Sequence, residues 1–98
     1  MKATELFQQR IVYAENRFAE LLLWRLPKPS PGSKHYFKYR LAYVVDGTCV
    51  IRYDNEAGKG DHCHWGRKER KYEFSSPELL LADFQEAIER WNHENGNP

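Results

Sequence analysis

The stretch His35-Tyr36-Phe37-Lys38-Tyr39-Arg40-Leu41-Ala42-Tyr43-Val44-Val45-Asp46-Gly47-Thr48-Cys49-Val50-Ile51-Arg52-Tyr53-Asp54 decides the fold of this chain. Asp46-Gly47 sits between two runs rich in aromatic and β-branched residues, the strongest short-range signal for a hairpin with a two-residue loop. His35 to Val45 therefore reads as one strand and Thr48 to Asp54 as its partner. Val45 then faces Thr48, Val44 faces Cys49 and Ala42 faces Ile51. Because side chains alternate across a strand, Phe37, Tyr39, Leu41, Tyr43, Val45 and Val50 share a core face. The other face carries Ala42, Val44, Cys49 and Ile51 near the turn, with Lys38, Arg40 and Tyr53 near the open end. In that register Cys49 is a small buried hydrophobe.

Upstream, Phe7 to Tyr13 favours a strand by its β-branched and aromatic residues, against a helical stripe of Leu6, Phe7, Ile11 and Val12. Glu15-Asn16 reads as a turn, because Asn tolerates positive φ. Arg17 to Leu26 reads as a second strand, apolar on both faces over Leu21 to Trp24 as a central strand would be. A Leu-rich helix is the rival, and Pro27 ends either one. Pro27 to Ser33 is a stiff connector by composition, or a proline segment that binds a partner. Downstream, Arg70 to Phe74 reads as a short fifth strand. Ser75-Ser76-Pro77-Glu78 starts a helix. Ser75 as N-cap gives a capping box with Glu78 and a staple between Phe74 and Leu79; Ser76 as N-cap puts Pro77 at N1. Leu80, Phe84, Ala87, Ile88 and Trp91 make one apolar stripe, and Asn92 to Pro98 reads as a frayed polar tail. The expectation is an α+β domain over residues 1–98: an antiparallel meander of four to five strands with a C-terminal helix packed on one face.

Composition narrows the function. The 98 residues fit one domain. A formal net charge of +1 provides no global field toward nucleic acid, so any anion-binding surface must be local. Cys49 and Cys63 make neither a disulfide framework nor a four-Cys zinc site, and suit a reducing cytoplasm. No apolar run approaches a membrane span, and Met1 to Arg10 lacks the pattern of a signal peptide. A cytoplasmic protein is expected.

The chemistry concentrates in Tyr53-Asp54-Asn55-Glu56-Ala57-Gly58-Lys59-Gly60-Asp61-His62-Cys63-His64. If Asp61 to Trp65 is extended, His62 and His64 point one way while Asp61, Cys63 and Trp65 point the other. Two imidazoles that titrate near neutrality can serve as general base and general acid. On RNA, one would take the 2′-hydroxyl proton and the other would protonate the leaving 5′-oxygen. Lys59 or an Arg would stabilise charge on the phosphate, and Asp61 or Asp54 would orient a histidine. Lys59, Arg67, Lys68, Arg70 and Lys71 outnumber Asp61 and Glu69 here, and Arg52 and Arg40 can join them in phosphate contacts. Tyr53 and Trp65 can stack on bases, although aromatic residues beside strands are usually core. The rival chemistry is a metal held by His62 and His64 with Asp54, Asp61, Cys63 or His35. The bland reading is surface histidines in a polar loop. Lys59-Gly60-Asp61 is not a phosphate-binding P-loop. His35 reads as a surface residue, and His93 lies in the tail.

Lys38-Tyr39-Arg40-Leu41-Ala42-Tyr43-Val44, Arg52-Tyr53-Asp54-Asn55, Gly58-Lys59-Gly60-Asp61-His62-Cys63-His64, Tyr72-Glu73-Phe74-Ser75-Ser76-Pro77 and Trp24-Arg25-Leu26-Pro27 together resemble the TumE-like family of bacterial toxins. The resemblance runs from about Leu22 to Trp91 and is most specific at Lys-Gly-Asp-His-x-His. Cys63 stands where the resemblance leads one to expect Arg, which removes a phosphate contact there and leaves both histidines. It implies the toxin of a type II toxin–antitoxin pair, encoded beside a helix-turn-helix antitoxin that binds it. By analogy with other small α+β toxins, the expected activity is a metal-independent endoribonuclease needing no cofactor. Its catalytic residues would be His62, His64, Asp61 and Lys59, with Arg52, Tyr53, Asp54, Arg67 and Arg70 on the substrate. The alternatives are a non-catalytic interaction protein and a metal-dependent nuclease or hydrolase. The expected partners are the antitoxin and RNA, with no membrane and a homodimer left open.

Overall fold

The computed structural model describes residues 2–56 and 58–96. Six strands form one antiparallel sheet in chain order: β1 (Thr4–Ala14), β2 (Arg17–Arg25), β3 (Phe37–Val45), β4 (Thr48–Glu56), β5 (Gly60–Trp65) and β6 (Lys68–Lys71). A single helix, α1 (Pro77–Glu94), follows. The α+β meander is as expected, but it has six strands rather than four to five. The histidine stretch is itself β5, and the strand expected at Arg70 to Phe74 lies earlier, at Lys68–Lys71. The helix also continues through the supposed tail to Glu94.

The Asp46-Gly47 loop forms as its sequence demands. Asp46 has φ 51° and Gly47 φ 77°, the left-handed pair of a type I′ turn. The preceding turn works differently from expectation. Asn16 has no positive φ; its side-chain amide instead donates to Asp46 Oδ1 at 2.8 Å, tying the two turns together.

The β3–β4 register carries the main correction. Val45 faces Thr48 and Val44 faces Cys49, but Tyr43 faces Ile51 and Ala42 faces Arg52, because Val50 is bulged out of the ladder. Without the bulge, Ile51 and Tyr53 would face solvent and Arg52 and Asp54 would enter the core, since a one-residue slip exchanges the faces. Burial of Ile51 (0% exposed) and Tyr53 (8%) decides the register. Cys49, expected to be buried, is left exposed beside the turn.

The core lies between the sheet and α1. Leu80, Phe84, Ala87 and Ile88 bury their stripe against Leu41, Tyr43, Ile51 and Tyr53. Phe84 is 1% exposed, so its truncation to Ala would cost about 3–5 kcal/mol. Ser76 is the N-cap, accepting from the Leu79 amide at 3.1 Å with Pro77 behind it. The alternative built on Ser75 does not form, and Leu79 stays half exposed.

The proline segment is docked as a connector. Pro31 O accepts from the Gly58 amide at 2.7 Å. Gly32 is at φ +84°, and a Cβ there would press on the Gly58 backbone at 3.3 Å.

Candidate active site

On the sheet face away from α1, the register lines side chains into rows across the strands. One row runs Glu20, Ala42, Arg52, His64, Glu69, and the next runs Leu22, Arg40, Asp54, His62, Lys71. The Val50 bulge and the His-x-His spacing together build this site. The bulge turns Arg52 and Asp54 outward on β4, and antiparallel pairing with β5 sets His64 opposite Arg52 and His62 opposite Asp54.

These four side chains form a closed chain of contacts. Asp54 Oδ1 lies 2.8 Å from His62 Nε2, and both side chains are 8% exposed. Asp54 Oδ2 lies 3.1 Å from Arg52 Nε. Arg52 Nη2 lies 2.9 Å from His64 Nε2. The two imidazole centroids are 5.1 Å apart, edge to face. Close as they are, Asp54 Oδ1 and Arg52 Nε are buried without an aligned hydrogen bond. The carboxylate sits between the guanidinium and the His62 ring.

Hydrogen-bond bookkeeping separates the histidines. His62 Nδ1 faces Gly60 O at 3.1 Å, and its Nε2 faces Asp54. A carbonyl oxygen can only accept, so Nδ1 donates to Gly60 O. Guanidinium has no lone pair to offer, so Arg52 must donate to His64 Nε2, leaving that nitrogen unprotonated. His64 is held below the usual histidine range, chiefly by burial and next by Arg52, against the opposing pull of Glu69 and Asp54. Its Nδ1 lies 3.7 Å from Glu69 Oε2.

The other expected site residues lie elsewhere. Asp61 is on the helix side of the sheet. Its Oδ2 accepts from the Tyr39 hydroxyl at 2.6 Å and meets His35 Nε2 at 2.8 Å. Burial, then the bond to Asp61, push the Tyr39 hydroxyl far up, so it stays a donor. His35, expected at the surface, is stacked on Phe74 with centroids 4.0 Å apart. Tyr53 lies in the core, edge-on to Tyr72 and Phe84, where no base can stack on it. Lys59 is an exposed residue of the β4–β5 turn, 4.0 Å from Glu56. Arg67 is exposed in the β5–β6 turn, and Arg70 lies beside the Cys63 thiol. Among the expected residues, Arg52, Asp54, His62 and His64 come together.

Arg40, which the sequence already offers for phosphate contacts, joins the same face with Leu22 and Trp24 through the β2–β3 register; their alignment with Asp54 appears only once the bulge is known. A groove of about 540 Å³ runs beside the cluster, lined by Leu22, Trp24, Leu26, Lys38, Arg40 and Asp54 among others. A larger cleft of about 700 Å³ lies between α1 and β6 and takes only His64 from the cluster. Asp54, His62 and His64 each bring a possible ligand atom within 4.8 Å of the others, the one such group among the described residues. Arg52 already reaches two of its members.

The family model described as Toxin TumE matches residues 2–92 of the chain. No curated protein and no solved structure matches it.

Proposed function

Because the chain belongs to the TumE toxin family, we propose that it is the growth-inhibiting member of a toxin–antitoxin pair and acts as a metal-independent endoribonuclease centred on His64 and Arg52. The observation that supports this reading most is the Arg52–His64 contact, which keeps Nε2 unprotonated and sets a cation beside it. Arg52 is 31% exposed in its side chain and His64 21%, so both reach the solvent from which RNA would come. A phosphate draws the guanidinium toward itself, since a bidentate charge-assisted contact is stronger than one to a neutral ring. That frees Nε2 to accept the 2′-hydroxyl proton. The 2′-oxygen bonds to phosphorus while Arg52 balances the added negative charge. The bond to the 5′-oxygen breaks, and this oxygen takes a proton from water. The products are a 2′,3′-cyclic phosphate and a free 5′-hydroxyl.

The burial of His62 changes the role first expected for it. With 8% of its side chain exposed, it is a positioning residue: it holds Asp54, and Asp54 holds Arg52. Asp61 and Lys59 have no place in this chemistry. A second reading rests on the ligand group Asp54, His62 and His64, which could hold a divalent ion if Arg52 swung out. The guanidinium already occupies the cation's place, which favours the first reading. A cognate helix-turn-helix antitoxin that covers this face would silence the protein.

Induced expression of the wild type and His64→Ala in a bacterial host, following growth and total RNA together, tests the proposal. Arrest with RNA cleavage by the wild type alone supports it. Arrest with intact RNA sinks the ribonuclease assignment.

A further inference from the structure

The groove beside the cluster has a composition of its own. Trp24 and Lys38 face each other on β2 and β3, and Leu22 and Arg40 form the next pair. Leu22 and Arg40 share a row with Asp54, so the groove opens directly onto the carboxylate that holds Arg52. Adjacent strands are about 4.8 Å apart, which puts Leu22 on β2 roughly 10 Å from Asp54 on β4. Arg40 is exposed and has no ion-pair partner among the described residues. Among the described residues, Lys38 donates to the Asn55 carbonyl at 3.3 Å and makes no ion pair. Asp54 is already paired with Arg52, 3.1 Å away, which offsets its charge toward an anion here. Glu56 also lines the groove, with Lys59 Nζ 4.0 Å from its carboxylate. An aromatic ring flanked by Arg40 and Lys38 matches the two surfaces of a nucleotide, an apolar face and a phosphate. That combination is how sequence-tolerant binding of single strands is built.

We propose that this groove is a subsite for single-stranded RNA, in which a base stacks on Trp24 and the adjoining phosphate lies against Arg40 and Lys38, so that the next part of the backbone reaches Arg52 and His64. This rests on the ribonuclease reading and assigns its substrate a strandedness and a path. An unpaired strand is required, because a base inside a duplex cannot expose its face to Trp24. Trp65 and Trp91, which pack on each other with centroids 5.1 Å apart, take no part.

The test is binding of a short fluorescein-labelled 2′-O-methyl oligonucleotide, which lacks the free 2′-hydroxyl and stays intact, read by anisotropy. Trp24→Ala should weaken binding roughly five- to hundredfold, the range measured for losing one stacked base. Trp24→Phe should recover most of it, and Arg40→Ala should weaken binding and reduce the salt dependence by about one counterion. A complementary strand that makes the probe a duplex should abolish binding to the groove. If Trp24→Ala fails to fold by circular dichroism, Arg40→Ala and the duplex probe decide. Wild-type affinity in every folded variant would overturn the subsite while leaving the ribonuclease reading intact, and the same result with loss of antitoxin binding would assign the groove to the protein partner. A wild type that neither binds the oligonucleotide nor cleaves RNA would end both readings.

Discussion

Asp54 and His62 are cross-strand neighbours whose Oδ1 and Nε2 stand 2.8 Å apart with both side chains 8% exposed. A buried pair of this kind is strongly destabilised when one partner is removed, by about 3 kcal/mol or more, because the other is left uncompensated. Asp54→Ala also strands Arg52 Nε, 3.1 Å from Oδ2. A loss of about 3 kcal/mol in a domain this size lowers Tm by about 12 °C or more. Thermal melts of Asp54→Ala and of the wild type check this. Unchanged melting would mean that the network does not hold the sheet face together.

The limits of the sequence reading trace to one residue. The Asp46-Gly47 signal places the β3–β4 hairpin, and the His-x-His spacing puts both imidazoles on one face, as the structure has them. The sequence does not reveal that Val50 drops out of the ladder, because a bulge is decided by which neighbours get buried and not by the residues that form it. With the bulge absent, Tyr53 shares the outer face with Arg40, and Arg52 and Asp54 fall on the core face. With it present, Asp54, one of the two carboxylates the sequence offers to orient a histidine, is the one beside His62. His35 was hidden for a similar reason: its partners, Asp61 and Phe74, are 26 and 39 positions away and meet it only after the proline segment has docked.

The histidines should separate stability from activity. His64→Ala removes a partly exposed ring and should change stability by about 1 kcal/mol or less, while RNA cleavage falls at least about 100-fold with loss of the general base. His62→Ala removes the buried member and should both destabilise the fold and reduce cleavage. Urea unfolding alongside a cleavage assay on both variants reads the difference. Full cleavage by His64→Ala would remove the base from the mechanism.

The acid limb of the activity should report His64. Burial and Arg52 lower its pKa from 6.5, so the neutral ring dominates at pH 7 and kcat/KM should fall as pH drops through a value below 6.5. The same shift has a stability consequence of matching sign. The native state binds fewer protons than the unfolded chain near and below pH 6.5, so this contribution is complete above that pH and fades as pH falls. Glu69 opposes the shift, and Glu69→Gln should therefore move the limb further toward acid. An NMR titration of the His64 ring in the two proteins tests this apart from catalysis. A bell-shaped rate profile with a second limb would bring His62 back as the acid.

Asp61 should matter to folding and little to chemistry. It joins Tyr39 at 2.6 Å and His35 at 2.8 Å on the helix side of the sheet. Asp61→Ala leaves the buried Tyr39 hydroxyl without its acceptor, at a cost of about 1–3 kcal/mol, and loosens the His35 anchor. Cleavage per folded molecule should stay near wild type. A folded Asp61→Ala protein that binds RNA but does not cut it would place the carboxylate in the reaction after all.

Metal removal distinguishes the two chemistries. Asp54, His62 and His64 can close around an ion only if Arg52 leaves His64 Nε2 and Asp54 Oδ2. In the acid–base reading, Arg52 supplies the positive charge, so cleavage should survive exhaustive EDTA treatment. Added Zn²⁺ should inhibit, because it competes with Arg52 for the imidazole and the carboxylate. Arg52→Ala should deepen that inhibition by emptying the space while abolishing cleavage with or without metal. Elemental analysis of the purified protein and an EDTA and Zn²⁺ titration of both proteins separate the cases. If EDTA stops the wild type and a divalent ion restores it, Arg52 is a gate to a metal site and the guanidinium is not the catalytic cation.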